Sequence, residues 1–186
     1  MRRISSRTRQ FTSRGFSLIE LLVSIAIIAL ISTVVLMQYG SFNSVILLKS
    51  LAYEIALTVR EAQTFGVSVR SDGGTFQSAY GVHFDKSLIK SYTLFIDRNA
   101  NNRYDTGEDV TTYQIGQGNQ IFDLCVNTIC DRDTLDIVFR RPEPDAIFTA
   151  SPVVANPSSA RIIVGYPDVV QTRTVRVWST GQIAVE

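Results

Sequence analysis

An uninterrupted apolar run with one acidic residue before it constrains this chain more than any other feature. From Leu21 to Met37 the sequence contains no charged side chain, and Glu20 stands directly before that run. As a helix, the 22 residues from Phe16 to Met37 would extend about 33 Å, enough to cross a hydrocarbon core of roughly 30 Å. A carboxylate near the bilayer centre costs on the order of 2–3 kcal/mol, and less near an interface. The sequence therefore predicts a membrane helix whose single acid has a function.

The residues around this acid carry a resemblance to a known family. Residues 14–23 read RGFSLIELLV, in which a basic leader, a glycine, a phenylalanine and a glutamate precede the apolar run at fixed spacing. This segment resembles the processing site of type IV pilin-like proteins, including the pseudopilins of type II secretion. In that family a membrane-bound prepilin peptidase cuts after the glycine and methylates the new N-terminal residue. The resemblance implies a cut between Gly15 and Phe16, a cleaved leader of residues 1–15, and Glu20 as the fifth mature residue.

The resemblance also implies a role for the acid and a set of partners. Glu20 would pair with the N-terminal amine of a neighbouring subunit, which would set the axial register because an unpaired buried charge is strongly penalised. In the single membrane-bound subunit, the positive end of the helix dipole stabilises the same carboxylate. The implied partners are prepilin peptidase, other pilin or pseudopilin subunits, and the assembly platform with its ATPase system.

Two other kinds of segment also contain a long apolar run. A cleaved secretory signal has an apolar core of about 7–15 residues with the cut behind it, whereas this run is longer and the expected cut precedes it. A single-span anchor that carries a β-rich domain and forms no filament fits the length equally well. That alternative gives no reason for Glu20.

Charge is unevenly distributed along the chain and predicts its orientation. Residues 1–15 contain five arginines and no acid, whereas the remaining residues contain 13 basic and 17 acidic side chains. The net charge of +1 therefore becomes about −4 once the leader is removed. A basic N-terminus stays in the cytoplasm. We expect a single-pass protein of the inner membrane with its C-terminal domain outside the cytoplasm, which then enters a pilus or a periplasmic pseudopilus.

Beyond the membrane segment the apolar residues keep a helical period. They recur at gaps of three or four residues: Val45, Leu48, Ala52, Ile55, Val59, Ala62, Phe65 and Val69. We therefore predict one long helix over residues 16–70, membrane-spanning over 16–37, whose second half packs onto a domain. Gly40 weakens it locally, so two separate helices are the alternative.

Residues 71–186 read as a β-rich domain. Short runs of β-type residues alternate with polar turns, and they predict strands at 80–84, 91–96, 110–115, 120–126, 135–140, 160–165, 174–178 and 182–185. Prolines between Pro142 and Pro157 predict a loop-rich interval with little regular structure. We expect an antiparallel sheet packed on the helix, an α+β fold of the pilin-like kind.

Residues 97–108 have the ligand spacing of a calcium loop. Oxygen atoms stand at loop positions 1, 3, 5, 7, 9 and 12, supplied by Asp97, Asn99, Asn101, the carbonyl of Arg103, Asp105 and Glu108. The usual glycine at position 6 is Asn102, which tolerates a left-handed backbone. The flanking segments read as strands, so a β-hairpin connection without metal is the alternative. The hairpin also resembles that of minor pilins and pseudopilins of the GspH/FimT kind, where it need not hold a metal.

The cysteines and arginines supply further candidates. Cys125 and Cys130 would face an oxidising compartment, so we predict a disulfide. A zinc site would need more Cys or His nearby.

A basic strip could bind nucleic acid, as in some minor pilins, through Arg140, Arg141, Arg161, Arg173 and Arg176. Clustered arginines without exposed aromatic residues between them are more typical of a solvated or ion-paired face, and the net charge does not indicate bulk nucleic-acid binding.

No pattern of catalytic residues stands out. The sequence has no glycine-rich phosphate loop, no nucleophile elbow and no Cys/His pair, and its one histidine, His83, lies in a strand pattern. We expect a packed or surface histidine and no enzymatic activity. The sequence thus predicts a structural subunit, with a DNA-binding minor pilin and a filament-free membrane anchor as alternatives.

Overall fold

The computed structural model describes residues 15–68, 78–167 and 169–186. Within these ranges the helix α1 spans Leu18–Val67. Nine strands follow: β1 Ala79–Asp85, β2 Ser91–Asp97, β3 Asp109–Gln114, β4 Gln120–Val126, β5 Thr134–Arg140, β6 Glu143–Ser151, β7 Ser159–Tyr166, β8 Val169–Trp178 and β9 Ile183–Val185. The chain divides into two compact units between Phe42 and Asn43. Most of the predicted leader and the predicted helix end at Arg70 lie outside the described residues.

The second half of α1 buries the predicted apolar stripe in the second unit. Its central members are fully buried: Ala52, Ile55, Val59 and Ala62. One turn further on, Gly66 lies so close to β5 that an added Cβ would stand 2.3 Å from the carbonyl oxygen of Phe139. A glycine is required there because the helix backbone and the strand backbone nearly touch. The stripe therefore packs as the sequence indicated.

The strands form two antiparallel sheets rather than the one sheet that the sequence predicts. The first sheet has the order β3-β2-β1-β5-β6, and the second has the order β4-β7-β8-β9. Alternate residues of both sheets share one core with the stripe of α1, among them Phe84, Ile137 and Phe139 of the first sheet and Leu124 and Ile162 of the second. The α+β, pilin-like fold class is confirmed.

The interval between Pro142 and Pro157 contains a strand, so its interpretation as loop-rich with little regular structure is wrong. Strand β6 pairs with β5 from Thr134 opposite Ser151 to Arg140 opposite Glu143. The register shifts beyond Phe139, which pairs with Ala146, so that Pro144 falls in a bulge. A proline is tolerated there because β6 is the outer strand of its sheet.

Candidate functional site: the apolar helix and its N-terminus

The first turn of α1 is capped by a side chain. The Ser17 hydroxyl accepts a hydrogen bond from the backbone N–H of Glu20 at 3.3 Å, and the Ser17 carbonyl accepts one from the N–H of Leu21 at 3.1 Å. Serine is a favoured N-cap because it satisfies an N–H that has no partner within the helix. Glu20 is the acid of the first turn, where the helix dipole favours a negative charge.

The helix beyond this cap is apolar and exposed. Leu18–Met37 has a mean hydropathy of 2.7, and none of it is buried within the structure. Glu20 is its one charged residue. The hydroxyls of Ser24 and Thr33 donate to the carbonyls of Glu20 and Ala29 at 2.7 and 2.8 Å, so the helix itself satisfies them. This segment meets the requirements of a helix surrounded by lipid or by other apolar helices.

Comparison with known families decides the identity of this segment. Residues 11–36 match the family described as the prokaryotic N-terminal methylation motif. This match includes the cap, the acid and most of the exposed apolar helix. The chain is a type IV pilin-like protein. No curated protein and no solved structure matches it significantly.

Membership of this class carries several functional consequences. The pilin-like protein is a substrate of prepilin peptidase, it is anchored in a membrane by its apolar helix, and it assembles with other pilins. Pilin-like proteins are structural rather than catalytic as a class. The cap and the acid of the first turn both lie within the segment that matches the family.

The loop of residues 97–108 is closed by its own polar side chains. The Asp97 carboxylate accepts hydrogen bonds from the backbone N–H groups of Asn101 at 3.2 Å and Asn102 at 2.9 Å. The Glu108 carboxylate accepts from the N–H groups of Arg98 at 2.9 Å and Asp105 at 3.1 Å. Asn102 has a φ of 59°, the left-handed conformation that a calcium loop requires at its sixth position. The fold of the loop therefore resembles that of a calcium loop, although strands flank it.

The centre of this loop is occupied by amide groups. The side-chain amides of Asn99 and Asn101 both donate to the Asp105 carboxylate at 2.7 Å, and these bonds hold the pKa of Asp105 below its usual value. The amide oxygens accept from the backbone N–H groups of Asn101 and Arg103. A cation would have to displace these amide hydrogens from Asp105. Calcium binding by this loop stays a prediction.

The loop also covers a histidine and an aspartate whose contact was not predicted from the sequence. His83 Nδ1 lies 2.6 Å from Asp136 Oδ1 on the neighbouring strand, and Asp136 is buried. The Tyr104 ring lies over His83, with 4.7 Å between the centroids, and meets Phe95 edge-on at 5.6 Å. Burial raises the pKa of Tyr104. His83 and Asp136 each stand between buried apolar residues of a strand, and this alternation was the available signal that they share the outer face of the first sheet.

Cys125 and Cys130 form a disulfide with an S–S distance of 2.04 Å. The bond closes the turn after β4, within which the N–H of Val126 donates to the carbonyl of Ile129 at 2.9 Å. Asp123 lies near both sulfurs, but the disulfide leaves no thiolate to complete a metal site. Lys86 Nζ contacts Asp123 at 3.3 Å and Asp131 at 2.5 Å. This corner of the domain is thus fixed by covalent and ionic contacts.

The five candidate arginines are distributed over two sheets. Arg140 and Arg141 lie at the β5–β6 turn of the first sheet, whereas the other three lie in β7 and β8 of the second. Arg161 stands directly opposite Arg176. Arg161 donates to the carbonyl of Asn127 at 3.3 Å, and Arg176 pairs with Glu186 at 3.6 Å. Nucleic-acid contact by these arginines stays a prediction.

Proposed function

We propose that this pilin-like protein is a minor subunit of a type IV pilus or of a type II secretion pseudopilus. Prepilin peptidase cuts between Gly15 and Phe16, the apolar helix holds the product in the inner membrane, and the β-rich domain lies outside the cytoplasm. The assembly platform and its ATPase then extract the subunit into a filament. The resemblance of the β2–β3 hairpin to that of GspH/FimT-type subunits supports the minor role.

One observation carries this proposal. Glu20 is the one charge of an exposed apolar helix of 20 residues, and it stands in the first turn. A carboxylate in that position is costly in lipid and costly in a bundle of apolar helices unless a cation neutralises it. The cut at Gly15 creates such a cation, the free amine of Phe16, on every mature subunit. Glu20 of one subunit and the amine of its neighbour then satisfy each other and set the register.

The bonding of the first turn supports a cut at this position. Phe16 is 74% exposed, and a Cβ added at Gly15 would meet nothing within 4 Å. The helix begins at Leu18, so the bond between Gly15 and Phe16 precedes the hydrogen-bonded backbone. A peptidase reaches an extended peptide more readily than a helical one.

Processing is tested by intact-mass analysis of the protein made with and without prepilin peptidase. We expect a product that begins at Phe16 and carries the mass of one added methyl group when the peptidase is present. The full-length mass is expected in its absence and for Gly15→Leu. Ser24→Ala, which changes the same helix two turns from the cut, should be processed normally. A product that begins at any other residue contradicts the proposed site.

A further inference from the structure

A cavity of about 170 Å³ lies at the end of the domain where both sheets meet several loops. Its floor consists of the buried side chains of Val126, Phe148 and Ala150. Its walls include Val153 and Val154 of the β6–β7 connection, and Val153 is 75% exposed. The lining is therefore mainly aliphatic, and one wall stays open to solvent.

The loops around this cavity are held in place by hydrogen bonds. The Arg132 guanidinium donates to the carbonyl of Pro152 at 3.0 Å, and the Asn127 side-chain oxygen accepts from the N–H of Ser158 at 2.8 Å. These bonds join the β6–β7 connection to the disulfide turn at both of its ends. The cavity is therefore largely preformed, which is typical of binding sites.

Among the residues that the structure describes, Arg103 is the one charged residue that lines the cavity. It is exposed, and its guanidinium makes no hydrogen bond or close ion pair with any residue that the structure describes, although its charge helps to lower the pKa of the nearby Asp105. The nearby Asp105 carboxylate is already engaged by the amides of Asn99 and Asn101. An unpaired guanidinium beside an aliphatic cavity selects a ligand that is apolar at one end and anionic at the other.

We propose that this cavity binds one aliphatic side chain of a protein partner and that Arg103 pairs with a carboxylate beside that side chain. The volume of 170 Å³ is smaller than the roughly 300–1,000 Å³ of cofactor and drug-sized pockets, and it suits one side chain. A C-terminal leucine, or a leucine next to an acidic residue, has this chemistry. The inference does not depend on the kind of filament in which the subunit serves.

The test uses the full chain in detergent micelles with 13C-labelled valine methyl groups. N-acetyl-leucine is the probe, and N-acetyl-leucine amide is its uncharged match. We expect saturable shifts of the Val153 and Val154 methyl signals with N-acetyl-leucine and an affinity about tenfold weaker for the amide, because a charge-assisted contact is lost. Arg103→Gln should reduce this difference to less than about twofold. Arg141→Gln, at the other end of β6, should leave it unchanged.

Several outcomes would overturn the proposal. One is the absence of saturable shifts at Val153 and Val154, and another is equal affinity for the acid and the amide in the wild type. Contacts of these methyl groups with detergent chains, and not with the probe, would show that the cavity binds lipid instead of a side chain of a protein partner. Methyl shifts that depend on protein concentration without the probe would assign it to a second copy of the chain.

Discussion

The side-chain amide of Gln63 donates a hydrogen bond to the carbonyl oxygen of Gly181 at 3.0 Å, although 118 positions separate the two residues in sequence. The same amide donates to the carbonyl of Pro144 at 2.9 Å. Pro144 belongs to the first sheet, and Gly181 lies in the β8–β9 turn of the second. One buried side chain of α1 therefore joins the helix to both sheets.

We expect Gln63→Met to lower the free energy of unfolding by about 1–3 kcal/mol, because it keeps the shape of the side chain and leaves the two carbonyls without a donor. Denaturant unfolding of the full chain in detergent measures this loss. Gln182→Met, an exposed change in the same hairpin as Gly181, should cost less than about 0.5 kcal/mol. Equal effects of the two substitutions would contradict the role given to Gln63.

Gly66→Ala should be destabilising even though alanine favours helix. An added Cβ would stand 2.3 Å from the Phe139 carbonyl oxygen, so α1 and β5 would have to separate. We expect a loss of about 1–3 kcal/mol in the free energy of unfolding. Gly116→Ala is the matched control, because a Cβ there meets nothing within 4 Å. A stabilised Gly66→Ala protein would show that the helix and strand lie further apart.

The stability of the domain should fall at alkaline pH because of Tyr92. Burial raises the pKa of Tyr92 above its ordinary value, and the nearby Glu54 adds to the shift, while the contact with Thr58 opposes it. Since the folded state holds the proton more tightly, the stabilisation is complete below the unfolded pKa of about 10 and is lost as the pH rises above it.

Unfolding free energies measured between about pH 8 and pH 11 test this dependence. Tyr92→Phe should flatten the decline above about pH 10, because phenylalanine has no proton to lose. Tyr53→Phe changes an exposed tyrosine of α1, in the same compact unit as Tyr92, and should leave the decline unchanged. An unaltered slope in Tyr92→Phe would contradict the assignment.

Calcium should stabilise the domain if residues 97–108 bind it. Extracellular sites have dissociation constants of about 0.1–1 mM, so about 10 mM calcium should add roughly 1.4 kcal/mol or more. Asp105→Asn should abolish the increase, whereas Asp145→Asn, an exposed acid outside the loop, should not. Thermal melts with calcium and with chelator measure the effect. Equal melting temperatures in both conditions would contradict calcium binding and would show that the loop is a hairpin connection closed by its own hydrogen bonds.

Local periodicity predicted much of this fold. The stripe from Leu48 to Ala62 was recognisable because helical spacing and burial follow one period. Eight strands were recognisable from β-type runs, and β6 was missed because its prolines indicate loops unless the strand is known to lie at a sheet edge. Edge position depends on the whole topology, which local pattern does not contain.

Contacts between residues that are distant in sequence could not be predicted, for the same reason. Nothing in the local sequence of Gln63 indicates that its amide reaches Gly181. The alternation that places His83 and Asp136 on one face of the sheet does not indicate that they lie opposite each other. The spacing of residues 97–108 predicted a calcium loop, with a metal-free hairpin connection as the alternative. It could not show that the amides of Asn99 and Asn101 turn toward Asp105.

Replacement of the acid of the apolar helix tests most directly whether Glu20 is needed for filament assembly. Glu20→Ala and Glu20→Gln remove the charge, whereas Ser24→Ala leaves it in place. Incorporation into filaments, measured by shearing and quantifying the subunit in cells that express the assembly system, is the readout. We expect both Glu20 variants to be cut and inserted in the membrane but lost from filaments, while Ser24→Ala assembles normally. Incorporation of Glu20→Ala at the wild-type level would contradict the proposed pairing of Glu20 with the neighbouring amine.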